Sequence, residues 1–213
     1  MAGFRRSKFA VLSRITIDVM RLVLASNSPR RRELLSAAGF EFAVDPVSVD
    51  ETRQEGEAPA AYVERLARSK AEASAGHDPE CAVIGADTIV VVGGEVLGKP
   101  IDEADAARML RLLAGRAHEV LTGVALTSRG QVMSGVERTT VWFAPLSDAD
   151  LAWYLASGEP MDKAGAYAIQ GRASRFIPRI EGSYSNVVGL PVTVLVEFLE
   201  KAGFSARVKG RHG

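Results

Sequence analysis

The chain has 213 residues, 47% of them hydrophobic, which is enough for one sizeable core. Its 26 basic and 26 acidic side chains cancel, so no global field draws it to nucleic acid or an anionic membrane, and any anion site must be local. One cysteine, Cys81, excludes a disulfide framework and makes a reducing, cytoplasmic setting the expectation.

Residues 1–19 carry Arg5, Arg6 and Lys8, but their apolar piece is too short for an export signal. They read as a flexible extension. No apolar run approaches the roughly 18 residues that span a bilayer. "RLVLA" (21–25) reads as a buried strand. Ser28 suits an N-cap and Pro29 the first helical position, so a helix is expected over 29–38, ended by Gly39, with Leu34, Leu35 and Ala38 on one face. "EFAVDPV" is a second strand. Residues 58–75 read as an amphipathic helix with Tyr62, Leu66 and Ala73 towards the core. "CAVIGADTIVVV" is strand-like and turns at Gly93-Gly94 into a short strand in "EVLGKP". A helix follows at 102–114. "HEVLTGVALTS" and "QVMSGVERTTVWFA" form a long hairpin about Arg129-Gly130. The last helices are 147–156 and 191–202. Hairpins amid strand–helix alternation imply an α/β fold with a mixed sheet and flanking helices.

The helix start at Ser28 poses a chemical question. Arg30, Arg31 and Arg32 crowd its first turn, where the helix dipole disfavours cations. Successive residues point about 100° apart, so one or two arginines can converge on an anion while another turns away. The free N–H groups of the helix start, with Ser26 and Ser28, complete a phosphate cradle. The alternative is a solvated basic face capped by Ser28.

Asp87 is the only charged residue between Cys81 and Glu95, and an unpaired carboxylate in such a strand is costly to bury. It calls for a cation, a partner or a wet cleft. Asp50 and Glu51 offer hard oxygens suited to a divalent cation, or form an exposed acidic loop. Lys70 and Lys99 read alone as surface lysines, of interest only if the fold brings them to the cradle. The glycine-punctuated "GEPMDKAGAYAIQG" (158–171) frames Asp162, Lys163, Tyr167 and Gln170, and the Gln170 amide could read a base edge. His118 lacks zinc-type partners and reads as structural. Ser26 has no triad context and is not read as a nucleophile.

Six segments resemble, in order, the Maf family of nucleoside triphosphate pyrophosphatases. They are "LASNSPRRRELL", "YVERLARSKA", "VIGADTIVVVGGEVLGKP", "MLRLLAGRAHEVLTGVAL", "GEPMDKAGAYAIQG" and "IEGSYSNVVGLP", spanning about residues 21–200. The resemblance implies an elongated mixed-sheet fold of the inosine-triphosphate-pyrophosphatase type, in a single catalytic domain over 20–205 with a short tail at 206–213. It implies cleavage of a nucleoside triphosphate to the monophosphate and pyrophosphate, with Mg²⁺ or Mn²⁺. Asp87 falls on the family's proton acceptor. Ser26, Arg30, Lys70 and Lys99 fall on phosphate-handling positions, and Glu51, with Asp87, on the metal-associated acids. Arg31, Thr88 and Gln170 occupy the positions that separate the subgroups, and their combination is similar to the dTTP/UTP-hydrolysing one. Family members are often dimeric, so a homodimer is one option. Two alternatives stay open: a pyrophosphatase for purine or modified nucleotides, and a cell-division regulator with a vestigial pocket.

Overall fold

A computed structural model describes residues 20–78 and 80–204; the expected extension at 1–19 and tail at 206–213 lie outside the described residues. Among the described residues, seven strands share one sheet in the order β2-β1-β3-β5-β6-β7, with β4 on β3. In chain order these are β1 (Arg21–Leu24), β2 (Ala43–Val44), β3 (Cys81–Val92), β4 (Glu95–Leu97), β5 (Ala117–Ser128), β6 (Gln131–Trp142) and β7 (Arg179–Glu181). β1 runs parallel to both β2 and β3, and the remaining pairs are antiparallel. The expected mixed α/β sheet is therefore present. The hairpin turns where expected, with Arg129 at φ 50° and Gly130 at φ 74°. Two successive left-handed residues match the right-handed twist of the flanking strands.

The helices that flank the sheet are α1 (Pro29–Ala37), α2 (Pro59–Ala75), α3 (Glu103–Leu113), α4 (Asp148–Leu155), α5 (Tyr184–Val188) and α6 (Val192–Lys201). One core gathers Leu22, Leu24, Ile84 and Val124 under Leu35 of α1 and Leu195 of α6. A second packs Val90, Leu97 and Val120 against Leu110 of α3 and Tyr154 of α4. α2 covers the other face at the centre, through Val63 against Ile89 and Leu121 and through Ala67 and Ala71 against Ala125.

Several expectations need correction. The second strand shrinks to Ala43–Val44, since Pro46 has no N–H to continue the ladder. On α1 only Leu35 is buried; Leu34 is half-buried and Ala38 exposed. On α2 the buried face is Val63, Leu66, Ala67, Ala71 and Ser74, with Ala73 exposed. At about 100° per residue, a face centred on Val63, Ala67 and Ser74 leaves Ala73 and Tyr62 at its rims. Lys70 falls within that face, towards the sheet. The segment 158–171 forms short 3₁₀ turns at Glu159–Asp162 and Ala164–Ala166 before a third at Arg172–Phe176.

Two glycines set the distance between α2 and the sheet. A Cβ on Gly85 of β3 would lie 2.1 Å from the Ala67 carbonyl oxygen, and one on Gly123 of β5 would lie 2.2 Å from that of Val63. Only hydrogen fits there, so the helix backbone rests almost directly on the strands.

Candidate active site

β3 is longer than its neighbours on one edge. β1 pairs with residues 81–84 and β4 with residues 90–92, so 85–89 face no strand on that side among the described residues. A cleft of about 490 Å³ opens at this gap. Alternate side chains of a strand project above and below it, so Asp87 and Thr88 both border the cleft from the open edge of one strand. α1 closes one end, the Gly98–Lys99 turn another, and the 162–170 segment the rim.

The close seating of α2 brings Lys70 onto Asp87. Lys70 Nζ lies 2.6 Å from Asp87 Oδ1 and 2.7 Å from Glu51 Oε1. The Lys70 and Asp87 side chains are only 11% and 15% exposed, so neither charge sits in bulk water. The lysine thus supplies the partner that the isolated carboxylate in β3 required. The hydrogen bond from Lys70 holds the Glu51 carboxyl below its ordinary range, against the effect of burial. Asp50 does not line the cleft; its carboxylate accepts from the Thr52 N–H at 2.9 Å.

The arginine run divides three ways. Arg30 reaches across the cleft rim to Asp162, with Nη1 3.3 Å from Oδ2 and Nη2 3.4 Å from the backbone oxygen. Arg31 turns inward: Nε donates to the Gly189 carbonyl at 2.7 Å, Nη1 to Ser26 Oγ at 3.0 Å and Nη2 to Thr88 Oγ1 at 3.2 Å. Burial lowers the Arg31 guanidinium from its ordinary pKa, and the Asp87 charge partly restores it. Arg32 is exposed on the outer side of α1. Carbonyl and hydroxyl acceptors therefore relieve Arg31 at the helix start, and a carboxylate relieves Arg30. Ser28 caps the helix as expected.

Lys99 lines the cleft and makes no hydrogen bond or ion pair among the described residues. Gln170 is on the rim with its amide likewise free of protein partners. Apart from Asp50, the site residues expected from the sequence, Ser26, Arg30, Arg31, Glu51, Lys70, Asp87, Thr88, Lys99 and Gln170, line this one cleft. Lys163 and Asp162 join them. Lys163 Nζ donates to the Glu159 carbonyl at 2.7 Å and pairs with Asp162. Burial would raise the Asp162 carboxyl, but Lys163 and Arg30 hold it below its ordinary range. Sequence reasoning frames this pair by glycines without giving it a role; the signal is a charged pair inside a segment otherwise built for close backbone approach. His118 is buried beneath the cleft with Nε2 2.8 Å from the Tyr167 hydroxyl, and burial pushes its pKa down to about 4.

The donor set can be tested for a divalent cation. Glu51 and Asp87 both reach the Lys70 ammonium, and among the described residues no group of three or more acidic, histidine or cysteine side chains is placed to hold a metal. Two carboxylates are the usual protein share where phosphate oxygens and water complete a Mg²⁺ shell. The pair fits an ion carried in part by a polyphosphate and does not form an all-protein cage.

A mixed α/β sheet with a cation-lined cleft at a gap in its central strand, and a lysine-paired aspartate at the base, defines a protein built to take a polyanion. The chain belongs to the family described as Maf-like protein, whose model matches residues 21–202. Three proteins named dTTP/UTP pyrophosphatase are each 53% identical to it. That of Symbiobacterium thermophilum aligns over 87% of this chain and 96% of its own length. Those of Geobacter sulfurreducens and Vibrio cholerae align over 86% and 87% of this chain, and 97% and 100% of their own. Among solved structures, the Staphylococcus aureus Ham1 protein matches with a TM-score of 0.48 at 16% identity, covering 85% of this chain and 98% of its own.

Proposed function

We propose that the chain hydrolyses dTTP and UTP to the nucleoside monophosphate and pyrophosphate. The observation that carries this reading is the Lys70-paired Asp87 at the base of a cleft ringed by Arg30, Lys99 and Lys163. Relatives 53% identical over most of their length bear that activity in their names.

Lys70 occupies Asp87 Oδ1, and Oδ2 accepts no hydrogen bond among the described residues. Oδ2 is the acceptor for a proton from the attacking water. As the water oxygen bonds to phosphorus, that proton passes to Asp87, the bridging P–O bond breaks, and pyrophosphate leaves with the electron pair. Arg30, Lys99 and Lys163 neutralise the charge that spreads over the phosphate oxygens. Glu51 and Asp87 would hold a Mg²⁺ or Mn²⁺ ion, which supplies further neutralisation of the phosphates when bound. Gln170 reads the pyrimidine edge, because its amide both donates and accepts. A carboxylate there could not donate to the carbonyl oxygens of uracil or thymine. Residues 20–205 act as one catalytic domain in the cytoplasm, with a homodimer as the assembly that the family suggests. No helix among the described residues is long and apolar enough to cross a membrane.

Pyrophosphate release from dTTP, UTP, CTP, GTP and 7-methyl-GTP, with Mg²⁺ or Mn²⁺, tests the reading. Fast turnover of dTTP and UTP is expected. Turnover mainly of guanine nucleotides would keep the chemistry and overturn the base assignment, and no release from any nucleotide would overturn both.

Asp162 yields a separate expectation. Its carboxylate sits between two cations that the phosphates need, so it competes with substrate. Asp162→Asn should lower KM for dTTP by about three- to fivefold at low salt, the scale of one screened charge a few ångströms away. The gain should fade as ionic strength rises, with kcat held. A raised KM in steady-state assays would instead make Asp162 a support for Arg30.

A further inference from the structure

We propose that Thr122, which lies behind the cleft wall, is a positioning residue that aims Arg31 and thereby sets nucleotide preference. The proposal rests on the reading above, in which the cleft selects pyrimidine triphosphates.

Thr122 on β5 stands directly opposite Thr88 on β3. Its side chain is fully buried and does not line the cleft. Its Oγ1 lies 3.1 Å from the Asn186 carbonyl oxygen and 3.0 Å from Thr88 Oγ1. A carbonyl only accepts, so the Thr122 proton goes to Asn186. The contact between the two threonines must then use the proton of Thr88. The other acceptor near Thr88 is the Gly189 carbonyl at 3.5 Å, which already takes Arg31 Nε at 2.7 Å. Thr88 is thereby left to accept, and Arg31 Nη2 donates to it at 3.2 Å.

The polarity of this chain is set from its buried end. Arg31 donates to Thr88, Thr88 to Thr122, and Thr122 to Asn186. With Ser26 and Gly189 also engaged, Arg31 uses three of its five N–H groups. One hydrogen remains on each terminal nitrogen, a pair matched to two oxygen acceptors of a ligand. Without the Thr122 oxygen, the Thr88 hydroxyl turns to the Gly189 carbonyl and shares it with Arg31 Nε, and its lone pairs rotate away from Nη2. Two of the three contacts that hold the fork are weakened while its charge is unchanged.

A merely structural role predicts lost stability alone. Thr139 on β6 provides the control. It is equally buried and anchors the same α5 segment, donating to the Ser183 carbonyl at 3.1 Å and accepting from Asn186 Nδ2 at 2.9 Å, with no hydrogen bond to Thr88 or Arg31.

The experiment measures kcat and KM for dTTP and GTP, with thermal melts, on Thr122→Val, Thr122→Ser, Thr139→Val and the unmodified chain. Thr122→Val should shrink the dTTP-over-GTP preference in kcat/KM by about tenfold, chiefly through KM for dTTP. Thr122→Ser, which keeps the hydroxyl that donates to Asn186 and accepts from Thr88, should hold the preference to within about twofold of the unmodified chain. Thr139→Val should lower Tm and leave the preference intact. An unchanged preference in Thr122→Val overturns the assignment. Should that variant fail to fold, Thr122→Cys, whose thiol is a weak acceptor, takes its place: a shrunken preference supports the assignment and an unchanged one overturns it. An unmodified chain that does not prefer dTTP brings down the functional reading, and this assignment with it.

Discussion

Asp87→Asn should cut kcat for dTTP by roughly 10²- to 10⁴-fold, the range of a positioned general base. The change keeps the side chain's size and its place on β3, but the amide cannot take a proton from water. Lys70 loses one carboxylate and keeps Glu51 at 2.7 Å. The folded protein should therefore survive, with KM changing far less than kcat. Rapid-quench or steady-state pyrophosphate release, read beside a thermal melt, makes the distinction. A variant that keeps a tenth of the activity would remove Asp87 from the proton transfer and leave it a holder of Lys70.

The second large effect comes from a single methyl group. Gly85→Ala would put a Cβ 2.1 Å from the Ala67 carbonyl oxygen and 2.7 Å from the Ala71 N–H nitrogen. Both are helix backbone, so no side chain can rotate away. α2 must lift from the sheet, at a cost of about 3 kcal/mol or more, the upper end of overpacking effects. In a chain of this size that is a fall in Tm of roughly 6–12 °C or more. Lys70 lies between Ala67 and Ala71 on the same helix, so the lift also draws its ammonium from Asp87. Activity measured well below the melt should drop as well. Gly123→Ala, with a contact of 2.2 Å to the Val63 carbonyl oxygen, should behave alike. A Tm within about 2 °C of the parent, the shift for less than 1 kcal/mol, would mean the helix rides higher than described.

Lys70 shows how far helical periodicity can go. Read alone, it is a surface lysine. Its angle on α2 nevertheless sets it beside Val63 and Ala67 on the buried face, and an inward lysine needs an acid. The isolated Asp87 in β3 is the matching signal. Each residue is odd in its own element, and the pair becomes visible only when the helix is laid on the strand. The small residues Gly85, Gly123, Ala67 and Ala71 likewise read locally as weak formers of strand or indifferent helix surface. Their meaning is a distance between two elements, which no local pattern carries.

By itself, the sequence determined the mixed sheet, the capped start of α1, the hairpin at Arg129-Gly130 and the family. These follow from short-range rules: caps, turn residues, hydrophobic period, and ordered motifs. Local rules also pointed to Asp87 and to the arginines, since burying a lone carboxylate or crowding cations at a helix start violates them; Lys70, Lys99, Glu51, Thr88 and Gln170 took their roles from the resemblance of the ordered motifs to the family. Only the tertiary structure decided how the arginines divide. Arg30 meets Asp162 and Arg31 meets Gly189 across more than a hundred residues of chain, at separations of 132 and 158. It alone decided that Thr88 accepts and Thr122 donates beyond it, because the direction of a hydroxyl is set by partners that only packing brings within reach.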